Sequence, residues 1–172
     1  MQILIKNIIE QLTEVNNGKL WIGTQSTIER KLKQIDESLV FTRPISGLHS
    51  VAELISHLTF WRQEAISTIK TGKGSVTEES KGNWRTNDEL IKSGWQKLKT
   101  DYDNSLTELV ELLQQKEDSF LSEHYDDIDF GGKSTYSYLL NGMLHHDLYH
   151  LGQLGITIKF LNKGFTSGGL IG

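Results

Sequence analysis

The sequence predicts an all-α protein, a four-helix bundle whose N-terminal helix is broken. Three observations predict it. Apolar residues recur at three- and four-residue steps through four long stretches of the 172-residue chain. Ser/Thr-x-x-Glu capping boxes stand before helical stretches at Ser26, Ser50 and Thr86. Strand-like alternation is confined to a short ambiguity at Ile156-Thr157-Ile158, itself inside a helical pattern.

Ile5, Ile8, Ile9, Leu12 and Val15 place a first helix that stops near Asn16-Asn17-Gly18. A turn around Gly18 to Gly23 interrupts it, with Trp21 expected to pack into the bundle end. A second helical piece is expected from the Ser26 box through about Leu39, on the stripe Ile28, Leu32 and Ile35. Pro44 and Gly47 mark the next connection as a loop. The Ser50-x-x-Glu53 box then opens a helix with Val51, Leu54, Leu58, Trp61 and Ala65 inward, ending at Gly72.

Residues 71 to 86 read as a polar, glycine-rich loop, without the full pattern of a phosphate-binding loop. Thr86-x-x-Glu89 caps a third long helix, with Leu90, Ile91, Trp95, Leu98, Tyr102, Leu109 and Leu113 on its stripe to about Gln115. Residues 116 to 133 are acidic. His124 with Asp126, Asp127 and Asp129 lacks the spacing of a calcium loop and reads as a mobile acidic loop. The last helix starts at a Ser134 or Thr135 cap, runs through Tyr136, Leu139, Leu140, Met143, His146, His150, Leu154, Ile158 and Leu161, and stops before Gly164. No repeat or second domain is visible, so residues 1–172 are read as one domain.

Composition narrows the function classes. The net charge is -4 and no basic stripe with interleaved aromatics occurs, which argues against a nucleic-acid partner. No apolar run approaches the roughly 20 residues of a membrane span. The N-terminus lacks a basic region before an apolar one, so a signal peptide is not expected and the cytoplasm is the default compartment. There is no cysteine, so disulfides, thiolate ligands and a cysteine nucleophile are excluded. A metal would have to be held by nitrogen and oxygen.

Leu144 to Gln153 holds three of the six histidines. On a helix His146 and His150 project from adjacent turns of one face, among core positions, while His145 points about 100° away. Two neutral imidazoles one turn apart can share a zinc, copper, iron or nickel ion. His146-Asp147-Leu148-Tyr149-His150 resembles the HExxH protease pattern with Asp in place of the Glu base. Residues 151 to 172 contain no His, Asp, Glu or Cys, so a further ligand must come from upstream and a protease is not expected. No histidine follows a glutamate by three residues, which argues against a ferritin-like di-iron site. His57, at the edge of its helix's inner stripe, would complete a three-histidine site. Three protein ligands leave a coordination position open, as in catalytic rather than structural zinc.

Three stretches, Gly18 to Gly23, Gly47 to Leu58 and His146 to Gln153, together resemble the DinB-like (YfiT-like) superfamily of four-helix-bundle metalloproteins. The resemblance extends over nearly the whole chain. It implies one ligand histidine on the second helix and an HxxxH pair on the fourth, here His57, His146 and His150, holding zinc or nickel. It further implies a small-molecule substrate, with a low-molecular-weight thiol as cosubstrate in the S-transferase branch, and a homodimer. Members include bacillithiol and related S-transferases and a mycothiol-dependent isomerase. Two functional classes follow: a metal-dependent enzyme, either a thiol S-transferase or a hydrolase using activated water, and a non-catalytic metal-binding or stress-related interaction bundle. Glu53, Glu64, Asp147, Tyr149 and Gln153 are the candidates for supporting or base roles by helical proximity.

Overall fold

The computed structural model describes residues 2–19, 23, 26–166 and 169–170. Four long helices form the bundle: α1 (Ile3–Asn17), α3 (Val51–Thr71), α5 (Trp95–Gln114) and α6 (Tyr136–Asn162). Two short ones, α2 (Ile28–Leu32) and α4 (Asn87–Ser93), sit in the connections. Helix α3 packs against α5 and α6, and α1 packs against the same two, so α1 and α3 lie diagonally across the bundle. The core follows the predicted stripes: Ile5, Ile8, Leu12 and Val15 of α1 meet Leu54, Leu58 and Ala65 of α3 and Leu140, Leu154 and Ile158 of α6 in one buried apolar cluster.

Capping residues set most boundaries. Ser50 and Glu53 form a reciprocal capping box at the start of α3, and Gly72 ends it in the left-handed region at φ 75°. The Thr86–Glu89 box opens α4, but the predicted third helix is not continuous. Gly94, at φ 82° and ψ 145°, breaks it before α5, in a conformation that side chains with a Cβ avoid. The break changes the phase of the stripe, which leaves Ile91 54% exposed.

The second helical piece is also shorter than expected. Its cap is Thr27, whose hydroxyl accepts from the Arg30 N–H, rather than Ser26. The helix stops at Leu32, and a 3-10 turn at Glu37–Leu39 follows separately. Trp21 lies outside the described residues.

Two small antiparallel hairpins depart from the all-helical reading. β1 (His124–Asp126) pairs with β2 (Lys133–Thr135), and β3 (Phe165–Thr166) with β4 (Gly169–Leu170). Ile156-Thr157-Ile158 lies within α6. The acidic stretch is therefore a hairpin rather than an unstructured loop. It is joined to the glycine-rich loop by Gly74 N–H to Asp126 O at 2.8 Å and Asp126 N–H to Gly72 O at 3.0 Å. No described helix is long and apolar enough to cross a membrane.

A buried polar network sits at the bundle centre. The Arg62 guanidinium of α3 contacts the Asp147 carboxylate of α6 at 2.8 Å, with both side chains fully buried. It also reaches the Tyr102 carbonyl and Ser105 hydroxyl of α5 and the Asn16 amide oxygen of α1, all at 3.3–3.4 Å. Each of the four long helices thus contributes to one network.

Candidate functional site

His57 lies two turns into α3, and His146 and His150 lie one turn apart on α6. The packing of α3 on α6 brings their ring nitrogens together, with one candidate ligand atom from each lying within 4.8 Å of the others. His57 and His150 are buried and His146 is half-buried. Among the described residues this is the one group of three or more potential ligand side chains so gathered. His124, Asp126, Asp127 and Asp129 do not form another. The Asp127 carboxylate instead accepts from the Tyr125 hydroxyl and the Asp129 and Phe130 N–H groups, closing the hairpin turn.

Hydrogen bonds orient two of the three rings. His57 Nδ1 is 3.1 Å from the Asn83 carbonyl oxygen, and His150 Nδ1 is 2.7 Å from Gln153 Oε1. Both partners only accept, so each Nδ1 carries the proton and each Nε2 presents its lone pair to the cluster. His57 Nε2 stands 3.0 Å from His146 Nε2. Two imidazole nitrogens at that separation need a proton or a cation between them, and nitrogens sharing a tetrahedral zinc would stand about 3.3 Å apart. His146 Nδ1 is buried without a partner.

Burial pushes the His57 imidazole down to about 4 and that of His146 to about 3, and lowers His150 as well. Neutral imidazole is the form a metal needs. The donor set, its orientation and its protonation fit a divalent metal, so the three-histidine cluster could bind one.

The glycine-rich loop covers the cluster. Trp84 stacks on His57 with centroids 3.8 Å apart and on His49 at 3.7 Å. Asn83 holds this loop in place: its side chain accepts from Trp61 Nε1 and donates to the Glu78 carbonyl. Neither Asn83 nor Trp84 was predicted from sequence. Asn83 acts on His57 through its backbone, which no residue pattern reports, whereas an isolated tryptophan in a polar loop is a visible signal. The histidines form one end of a cleft of about 680 Å³ that runs between α3 and α6 toward the β1–β2 hairpin.

The five supporting candidates separate clearly. Gln153 orients His150, as its position suggested. Tyr149 lines the cleft and is 63% exposed. Glu64 also lines it, with its carboxylate accepting from the Ser75 N–H and hydroxyl at 2.5 Å each. Glu53 belongs to the α3 cap and to an ion pair with Arg43. Asp147, which occupies the base position of the HExxH-like pattern, is turned into the bundle and paired with Arg62. The protease-like spacing therefore carries no protease role here, because the Asp147 carboxylate is buried against Arg62 and is not free to act as a base.

Fold and cluster together define a helical bundle with a three-histidine cleft. The model of the DinB superfamily matches residues 21–154, and the chain belongs to that superfamily. A conserved protein from Enterococcus faecalis has a similar solved structure, at a TM-score of 0.68 and 18% identity, covering 92% of this chain and 97% of that one. At that identity the likeness is one of fold. No curated protein gives a significant match.

Proposed function

We propose that the protein is a metal-dependent enzyme acting on a small molecule in this cleft, with His57, His146 and His150 as the ligands of a zinc or nickel ion. The observation that carries the reading is the convergence of three neutral imidazoles, two with their Nε2 lone pairs fixed inward, at the end of a cleft of about 680 Å³. When bound, the divalent ion would supply Lewis acidity, lowering the pKa of a thiol or water at its open position. Thiol S-transfer and hydrolysis are the two reactions this supports. The chain's own residues do the rest. Asn83 and Gln153 hold the tautomers, Trp84 shields the His57 ring from water, and the cleft wall orients the substrate.

With Asp147 committed to Arg62, no carboxylate of the HxxxH segment is available as a base. A thiol, with a pKa of about 8.5 against about 15.7 for water, needs far less lowering to become a nucleophile near neutral pH, which favours thiol transfer. The chain without an affinity tag is expected to hold about one zinc or nickel per molecule, lost in His57→Ala and His150→Ala. A wild-type chain that takes up neither metal, or variants that bind as wild type does, would remove the metal from the mechanism. Turnover in a panel of thiol and ester substrates, abolished by His57→Ala, would separate the enzyme from a metal-binding bundle without catalysis.

A further inference from the structure

The cleft is strongly asymmetric in charge. Glu64, Glu78, Asp127 and Asp129 line it, and no lysine or arginine lies among its described lining residues. Glu64 and Asp127 are only 9% and 6% exposed. Among the described residues none of the four acids takes part in an ion pair; each of the two buried ones is satisfied by neutral donors alone. Burial alone would raise the Asp127 carboxyl, but neutral donors from Ser134, Tyr125 and the Phe130 and Asp129 N–H groups hold it below its ordinary value. It stays ionised, and the cleft carries negative charge that no described basic lining residue offsets.

The walls supply a second preference for positive charge. Trp61, Tyr125, Phe130, Tyr138 and Tyr149 line the same cleft, and aromatic faces attract cations within about 6 Å. The Glu64 and Asp127 end of the cleft lies away from the histidines. Glu64 is seven residues beyond His57 on α3, about 10 Å along the helix axis. Gly74, against which Glu64 packs, is bonded to the β1–β2 hairpin.

We propose that the ligand of this cleft is an elongated organic cation, its ammonium or amidinium head at the acid end and its apolar body along the aromatic walls toward the histidines. This rests on reading the cleft as the substrate site. It narrows the substrate class: a polyanionic thiol meets four carboxylates and no basic residue, whereas a cationic acceptor or a cationic thiol is drawn to them.

The test uses three probes on one scaffold: 4-phenylbutyltrimethylammonium, 4-phenylbutanol and 4-phenylbutyrate, titrated calorimetrically into the full chain before and after zinc saturation. On the zinc-free chain the ammonium is expected to bind about fivefold or more tighter than the alcohol, with the carboxylate weakest. In Glu64→Gln the gap between ammonium and alcohol narrows to about twofold or less. If that variant does not fold, Glu78→Gln with Asp129→Asn at the cleft rim should narrow the gap in the same direction. Equal affinities, a tighter carboxylate, an unchanged gap in the folded variants, or no binding by any probe overturns the proposal. Zinc uptake in the same titrations is read separately. A chain that prefers the ammonium without binding zinc refutes the metal reading alone, and one that binds zinc without head-group preference refutes this one.

Discussion

At the scale of single residues, Arg62 and Asp147 govern the geometry of the site without touching a ligand. Asp147 follows His146 directly, and its ion pair to Arg62 fixes the rotation of α6 about its axis, hence the direction of both α6 histidines. Isolated burial of either charge would be costly; removing one partner of a buried pair costs about 3–5 kcal/mol, while replacing both with apolar groups can be nearly neutral. Arg62→Met is therefore expected to lower unfolding free energy by about 3–5 kcal/mol in a urea titration. Adding Asp147→Leu should recover a large part of that loss. A double variant as unstable as the sum of the two single variants would show that the pair does not act as a unit. From sequence Asp147 was a candidate base, because the HxxxH spacing drew attention to its neighbours. Nothing local pairs it with a residue 85 positions away.

At the scale of elements, local signals were legible and distant ones were not. The Ser50–Glu53 and Thr86–Glu89 boxes could be read directly, because each is closed within four residues. Helix α1 shows the converse. Its N-cap position is Gln2, which makes no side-chain cap, and the carboxylate of Asp118 instead accepts from the N–H groups of Ile3, Leu4 and Ile5 at 2.9–3.0 Å. The hairpin strands are three residues or fewer, too short for alternation to register. Helix α3 offers a test by pH. Burial alone would raise the Glu53 carboxyl, but the His49 imidazole 3.7 Å away and the hydrogen bonds from Arg43 and the Ser50 N–H outweigh it and hold the group down to about 2. Between its ordinary 4.5 and about 2, the unfolded chain binds more protons at this site than the folded one. Stability from Glu53 is thus fully present above about pH 4.5 and lost as pH falls toward 2. Glu53→Gln, which keeps an acceptor but not the charge, should be less stable at pH 6 and show a shallower loss over that window. Parallel acid-unfolding curves for the two proteins would place the titrating charge elsewhere.

At the scale of the whole molecule, the three histidines join α3 to α6, two of the four members of the bundle. Sequence periodicity identified both helices and both inward faces, which is why the cluster was foreseeable. The cleft beside it was not, because it depends on the glycine-rich loop being bonded to the hairpin across some fifty residues. A ligand that bridges α3 and α6 binds the folded chain alone, since unfolding separates His57 from the α6 pair by 89 positions. It must then stabilise the whole bundle by mass action, about 2.7 kcal/mol at a free metal concentration 100 times Kd. For a chain of this size that corresponds to a rise in Tm on the order of 5–10 °C. Zinc should produce such a rise in wild type and in His124→Ala, whose side chain is exposed on β1. In His57→Ala the rise should vanish, because the α6 pair alone no longer spans two helices. Scanning calorimetry with and without zinc decides it. An equal rise in His57→Ala would mean that zinc stabilises the fold from somewhere other than the α3–α6 junction.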